Sequence, residues 1–203
     1  MTFPRGRLKL VTLVAAILVV AGASWALFKD HSHNTQTAKN QAPGSNPASP
    51  KPPPDVSQTT TIETSYFKYQ KPANWAQMSK SNLDALGATS GIGRPSPTVT
   101  FTTKVSSPAP STSAELKDSA LTGLRKLSNF TLVSSADTKI DRQPGQKFTY
   151  TFSSNDGQIK LTQQLSLIPY KQKSYFLLFS SNSSDFDKSK PDFDKIETSF
   201  HFK

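Results

Sequence analysis

The sequence predicts one folded domain of mixed helices and strands over residues 61–203, displayed outside the cell behind a membrane segment. Apolar and polar residues alternate over 98–105 and 147–167, which is the two-residue period of a β-strand. A stripe at helical spacing over 113–128 predicts an amphipathic helix that packs on a sheet. Residues 175–179 are apolar throughout, as in a strand buried on both faces, so layers are expected on both sides of the sheet.

Composition excludes several classes of function. The chain has 203 residues and no cysteine, which rules out disulfides, thiolate metal sites and lipid attachment through an N-terminal cysteine. The net charge is +10. Residues 1–60 contain six basic and two acidic residues, and the rest of the chain contains eighteen basic and twelve acidic residues, mixed along its length. No basic run or aromatic-basic motif occurs there, so a solvated surface is expected and no nucleic-acid partner is predicted. Attraction to an anionic lipid or wall polymer is the functional alternative.

A membrane-spanning segment is predicted near the N-terminus, beginning at Leu10 and ending at Phe28. Its nineteen residues carry no charge, and as a helix they would extend over about 28 Å, close to the thickness of a bilayer core. Three basic residues precede it, whereas Lys29 on the far side is balanced by Asp30, so residues 1–9 are expected in the cytoplasm. This places a single-pass anchor in the plasma membrane, with the domain outside.

A cleaved signal peptide is the alternative interpretation of the same segment. It would end at the small residues 21–23, with cleavage near Ala23 and secretion of the domain. Apolar sequence continues to Phe28, which favours retention. Both interpretations export the domain, and a bacterial envelope is the expected setting.

A disordered linker is predicted over 29–60, because the segment is rich in Pro, Ser, Thr, Asn and Gln and lacks hydrophobic periodicity. The prolines over 50–54 favour an extended spacer. His31 and His33 lie in this linker without a third ligand nearby, so solvated side chains are expected there rather than a metal site.

The first half of the domain is predicted to contain two strands. Alternation over 62–69 predicts a strand that ends before Pro72. Residues 72–97 predict a loose connection rich in Gly and Pro, and 98–105 predict the second strand.

The second half begins with the helix over 113–128, whose start carries the capping-box residues Thr112 and Glu115. A short strand is expected over 130–134. A hairpin follows, with strands over 147–153 and 159–167 around the turn signal Asn-Asp-Gly at 155–157. After the apolar strand, a last helix is predicted from residues at helical spacing, with Pro191 in its first turn: Phe186, Phe193, Ile196 and Phe200.

Two segments resemble the PsbP-like family, which shares the fold named for PsbP, Mog1 and DcrB. Residues 66–75 read Tyr-Phe-Lys-Tyr-Gln-Lys-Pro-Ala-Asn-Trp, and 193–200 read Phe-Asp-Lys-Ile-Glu-Thr-Ser-Phe. The order of elements over 61–203 is also similar. The resemblance implies an α+β fold, with a central antiparallel β-sheet flanked by helices, and a non-catalytic character. It assigns no cofactor and no binding residues.

Few residues suggest catalysis or metal binding, so no catalytic residue, metal or cofactor is predicted. His201 is the one histidine of the domain, and a position at the chain end is poorly suited to a catalytic triad. The glycine-rich residues 87–93 lack the Lys-Ser/Thr pair of a phosphate loop and predict a surface loop. Four acidic residues near the last helix suggest either calcium ligands or favourable charges at a helix N-terminus, and the second is expected: Asp185, Asp187, Asp192 and Asp194.

The aromatic residues Trp75, Tyr66 and Tyr69 are the candidate binding surface, with burial in the core as the alternative. The predicted function is a non-enzymatic binding or assembly module of the cell envelope, whose partner is an unidentified envelope protein or wall polymer. Two alternatives stay open. One is an envelope hydrolase using carboxylates such as Glu63 or Asp84, and the other is the sensory subunit of a membrane complex.

Overall fold

The computed structural model describes residues 59–109, 112–154 and 157–203. Within these ranges the chain forms ten strands and three helices. The helices are Lys80–Leu86 (α1), Ser113–Leu124 (α2) and Phe186–Thr198 (α3). The strands are Thr60–Glu63 (β1), Phe67–Lys71 (β2), Ala76–Gln77 (β3), Ser90–Pro95 (β4), Thr98–Ser106 (β5), Thr131–Ile140 (β6), Gln143–Ser153 (β7), Lys160–Tyr170 (β8), Lys173–Asn182 (β9) and His201–Phe202 (β10).

Two antiparallel sheets build the domain. The large sheet has seven strands in the order β3-β4-β5-β9-β8-β7-β6, and the small sheet has the order β1-β2-β10. All described strand pairs are antiparallel. The predicted α+β class, with an antiparallel sheet between helices, is therefore confirmed.

Strand β9 lies at the centre of the large sheet and separates two hydrophobic clusters. Its residues Tyr175, Leu177 and Phe179 pack in the cluster that contains the buried side chains of α3 and the small sheet. Phe176 and Leu178 point to the other face, into the cluster that contains α2. The prediction of a strand covered on both faces is confirmed, because alternate side chains of one strand meet different layers.

Three expectations agree closely with the structure. The strand predicted over 98–105 is β5, and the predicted hairpin is the β7–β8 pair. Helix α2 begins after Thr112, whose hydroxyl accepts the Glu115 amide at 3.1 Å, as in the predicted cap. Residues 155 and 156 of the predicted turn lie outside the described residues.

The expectation of one strand over 62–69 is wrong, because the chain reverses within it. The hydroxyl of Thr64 accepts the amides of Tyr66 and Phe67, at 3.1 and 3.2 Å, and this side-chain turn ends β1 at Glu63. Strand β2 then returns antiparallel to β1, with Glu63 opposite Lys68.

Residues 72–97 are not a loose connection. Ser79 caps α1 by accepting the amide of Asn82, and Gly87 ends the helix in a left-handed conformation with a φ of 56°. The glycine-rich residues predicted as a surface loop continue into β4, which pairs with β5 along its whole length. Gly91 lies so close to Met78 that an added Cβ would stand 2.6 Å from the thioether sulfur, so the glycine serves packing.

Three boundaries also differ. Helix α2 ends at Leu124 rather than Ser128, and the short strand expected over 130–134 is the ten-residue β6. Pro191 lies inside α3 rather than in its first turn, because the helix already begins at Phe186, which is buried against Phe193. Phe200 follows the helix and stacks on Phe67 at 5.0 Å between ring centroids.

Candidate binding groove

An open groove runs between α3 and the segment that follows β2, and its volume is about 560 Å³. Polar and small side chains dominate its walls. They are Gln70, Pro72 and Asn74 on one side and Asp192, Lys195 and Thr198 on the other. Thr59, which precedes β1, also lines the groove.

Asp192 is held in place at the groove by two side chains from other elements. Its Oδ2 lies 3.2 Å from the Arg94 guanidinium and 3.4 Å from the indole Nε1 of Trp75. Arg94 also donates to the Ser189 hydroxyl at 3.3 Å and lies 5.9 Å from the centroid of the Trp75 ring. Because the Arg94 side chain is only 15% exposed, this charge-assisted contact is largely shielded from water and fixes the carboxylate.

Hydrogen bonds between side chains and backbone hold the groove walls. Lys71 donates to the carbonyl of Trp75 at 2.7 Å and to that of Pro72 at 3.3 Å, which closes the segment between β2 and β3 into a compact turn. Across the groove, the hydroxyl of Ser199 accepts the Gln70 amide at 3.0 Å. These bonds hold the two walls of the groove in place.

The three aromatic residues of the candidate binding surface do not share one exposed surface. Trp75 and Tyr69 are 2% and 1% exposed, and both belong to the cluster on the α3 side of the sheet. The Tyr69 hydroxyl bonds to Ser90 at 2.7 Å, and burial raises the pKa of this phenol far above its ordinary value. Tyr66 is 39% exposed and lies at the opposite end of β2 from the groove.

The carboxylates considered for hydrolysis lie apart from the groove on the surface. Glu63 pairs with Lys203 at 2.8 Å and Asp84 pairs with Lys80 at 2.7 Å. These side chains are 62% and 64% exposed, and neither belongs to the described lining of the groove. Each of the two carboxylates is paired with a lysine and not with a second carboxylate.

The acidic residues near α3 have different roles. Asp185 is the N-cap residue and Asp187 lies in the first turn, where both favour the positive end of the helix dipole. Asp192 and Asp194 lie further along the helix, and the latter pairs with Lys190 at 2.8 Å. Within residues 59–109, 112–154 and 157–203, no group of three potential ligands is arranged to hold a metal ion.

His201 joins the chain end to the β6–β7 turn. Its Nδ1 lies 3.1 Å from one oxygen of Asp141, and the other oxygen accepts the backbone N–H of Phe202 at 3.0 Å. Burial by itself would raise the pKa of Asp141, but the bonds from His201 and Phe202, together with the charges of His201 and Arg142, hold the pKa below its ordinary value.

The sequence does not single out Arg94, because residues 72–97 predict a loose connection without structure of its own. The groove itself joins residues 70–74 to residues 192–199, which no local pattern connects. One signal was present: Ser90 and Ile92 precede a Pro-Ser-Pro turn at 95–97 that faces the predicted strand over 98–105, and this is the pattern of a hairpin.

Comparison with known proteins relates the chain to solved structures. No family profile and no curated protein sequence matches it. LpqN of Mycobacterium tuberculosis, described as involved in cell envelope biogenesis, superposes with a TM-score of 0.54 at 14% identity, over 71% of this chain and 90% of LpqN. Cyanobacterial PsbP (CyanoP) of Synechocystis superposes with the same TM-score at 15% identity, over 78% of this chain and all of CyanoP.

The chain has a PsbP-type fold. The resemblance inferred from the two end segments is therefore confirmed at the level of the fold. Both end segments lie beside the groove, since residues 70–74 line one wall and residues 192–199 the other. Within the residues described, no helix of this PsbP-type domain is both long and apolar enough to cross a membrane, and the segment 10–28 lies outside them.

Proposed function

We propose that this chain is a non-enzymatic binding or assembly module of the cell envelope, and that the groove beside α3 is its recognition site. The observation that carries the proposal is the state of the groove carboxylates. Asp192 is bound to Arg94 and Trp75, and Asp194 is bound to Lys190. These partners hold the carboxylates in place as hydrogen-bond acceptors at the groove, an arrangement that suits recognition of polar groups.

The location is proposed from the sequence. The apolar stretch from Leu10 to Phe28 anchors the chain in the plasma membrane, residues 1–9 stay in the cytoplasm, and the domain lies outside. The same stretch serves export if it is removed near Ala23. LpqN, which shares the fold and is described as involved in cell envelope biogenesis, supports an envelope setting by analogy.

The hydrolase alternative has less support. Retaining or inverting glycoside chemistry needs two carboxylates that face one substrate across roughly 5 to 10 Å. Glu63 and Asp84 each face a lysine instead, and both are exposed on the surface.

Site-specific photo-crosslinking in intact cells tests the groove. A photoreactive residue replaces Asn74 or Thr198, both exposed in the groove, and the matched control replaces Lys126, exposed just beyond α2 on the other side of the sheet. A discrete adduct is expected from both groove positions and not from the control. The same adduct pattern from all three positions, or no adduct from either groove position, would contradict the proposed site.

Protease added outside intact cells tests the proposed location. Residues 61–203 should be digested while the cells are intact and a cytoplasmic marker survives. Protection until the cells are lysed would exclude export.

A further inference from the structure

Two hairpin turns meet at the end of the large sheet that lies away from the groove. The β6–β7 turn contains Asp141 and Arg142, and the β8–β9 turn contains Lys171 and Gln172. Together with Lys139 at the end of β6 and Lys173 at the start of β9, these turns place four basic residues at one end of the sheet. We call this set the turn surface, and it consists of Lys139, Arg142, Lys171 and Lys173.

The turn surface has an excess of positive charge. None of its four basic residues lies within ion-pair distance of a carboxylate in the part of the chain that the structure describes. Asp141 lies among them and its charge acts on Arg142, so it offsets one of the four positive charges; its two oxygens lie against His201 and the Phe202 amide, and the turns keep a net positive charge. Lys139, Arg142 and Lys171 are exposed, so their charges are available to a partner from solution.

Two of these ammonium groups make cation–π contacts with aromatic rings. Lys171 Nζ lies 5.1 Å from the centroid of the Tyr170 ring, and Lys173 Nζ lies 5.7 Å from that of Tyr66. A ring attracts a cation without neutralising it, so both lysines keep their charge while their position is restricted.

The spacing of the charges points to an extended ligand. Neighbouring strands in a sheet lie about 4.8 Å apart, so the β6–β7 and β8–β9 turns, two strand positions apart, are separated by roughly 10 Å. One small anion can be reached by only some of the four flexible side chains at a time. A chain with repeated negative charges can contact residues of both turns simultaneously, and each additional contact then occurs at high effective concentration.

We propose that the turn surface binds a linear phosphate-bearing polyanion outside the cell. This inference rests on the proposed function for its location and adds a partner class at a second surface, distinct from the groove. A flat anionic bilayer fits less well, because insertion needs several apolar side chains near the charges. Of the exposed large apolar side chains among the described residues, only Tyr66 lies at the turn surface, and the Lys173 ammonium group lies over its ring. The exposed Leu132 and Val133 lie at the other end of β6, about 25 to 30 Å away along a strand of this length.

Binding of long-chain inorganic polyphosphate to the full chain in phosphatidylcholine nanodiscs tests the proposal. The test variant R142N/K171N/K173Q removes three charges, and asparagine suits the two turn positions because Arg142 and Lys171 have φ values of 65° and 45°. The control R125Q/K126Q/K160Q removes one arginine and two lysines from exposed positions elsewhere. Equal thermal unfolding temperatures would show that both variants are folded.

The test variant should weaken polyphosphate binding by about tenfold, because three charge contacts to the polymer are lost together, while the control should change it less than about twofold. Orthophosphate should bind far more weakly than the polymer. Equal losses in both variants would reduce the effect to net charge and overturn the proposal. So would tighter binding to phosphatidylglycerol vesicles with the same dependence on the three residues, which would assign the surface to a membrane. Neither result would alter the crosslinking expected at the groove.

Discussion

Glu197 on α3 binds Lys147 on β7 across the face of the large sheet, with 2.5 Å between Oε2 and Nζ. The same carboxylate accepts bonds from Ser166 at 2.9 Å and from Gln164 at 3.4 Å. Glu197 thus connects the last helix to three polar residues of the sheet. Its side chain is only 11% exposed, so water could not readily replace it as their hydrogen-bond partner.

Replacing Glu197 by alanine should lower the free energy of unfolding by about 2 to 3 kcal/mol, because Lys147 and Ser166 lose their acceptor. The matched control is Asp194→Ala on the same helix, whose partner Lys190 is about half exposed, and it should cost less than about 1 kcal/mol. Urea denaturation measures both. Equal losses would show that the network adds nothing beyond a surface ion pair.

The β8–β9 turn carries a stabilising substitution that can be tested. Lys171 and Gln172 have φ values of 45° and 58°, a left-handed conformation that costs a residue with a side chain about 1 to 2 kcal/mol. Gln172→Gly should therefore raise the free energy of unfolding by about 0.5 to 1 kcal/mol, after the larger backbone entropy of glycine in the unfolded chain is subtracted. Lys173→Gly, one residue later and without a positive φ, should destabilise instead. A loss of stability in both variants would contradict the argument.

These turns also show where sequence patterns are insufficient. Strands β5, β7, β8 and β9 were predictable because their alternation or continuous apolar character reflects burial directly. The β6–β7 and β8–β9 turns were not, since Asp-Arg and Lys-Gln replace the Asn-Gly or Asp-Gly that normally mark such hairpins. Long-range pairing, rather than local preference, imposes left-handed backbone on these four residues.

The candidate site was predictable only in part, for a related reason. Trp75 was identified as an aromatic residue of interest, but its role depends on Arg94 and Asp192, which come from distant parts of the chain. Strand β4 contains Gly91 and Gly93, residues that weaken strand propensity, so its pairing with β5 was not expected. A groove formed by segments more than a hundred residues apart leaves no periodic pattern in the sequence from which it could be predicted.

Asp141→Asn should reveal an acid-dependent contribution to stability. The pKa of Asp141 is held below its ordinary value, so its contribution is present above the unfolded pKa of about 3.9 and is lost as the pH falls through the lower folded value. At pH 7 the variant should be less stable by under about 1 kcal/mol, because the pair with His201 is partly solvated. The difference should disappear at the lowest pH at which the domain stays folded. A difference that persists there would assign the effect to packing.

Tyr150→Phe should change the response to alkaline pH. Burial raises the pKa of the Tyr150 phenol far above its ordinary value, so its contribution is complete below the unfolded pKa of about 10 and is lost as the pH rises above it. Above pH 10, the free energy of unfolding of the unmodified chain should therefore fall more steeply than that of the variant, by up to about 1.4 kcal/mol per pH unit. At neutral pH it should be about 1 kcal/mol less stable, since Gln163 loses the hydroxyl donor at 2.7 Å. Parallel stability curves above pH 10 would contradict the assignment.

Gly145→Ala should strongly destabilise the domain, because no side chain fits at this point of β7. An added Cβ would overlap the backbone carbonyl of Leu167 on β8 and the end of the Ile168 side chain. Ile168 can rotate, but the carbonyl is held in the ladder of paired strands, so the strands must separate locally and a cost of about 2 to 4 kcal/mol is expected. Gly157→Ala is the matched control, because its added Cβ would meet open space. Only the positive φ of 72° disfavours alanine there, and the expected loss of stability is about 1 to 2 kcal/mol. Denaturant unfolding of both variants compares a steric cost with a conformational one, and an equal loss would show that β7 and β8 can separate without penalty.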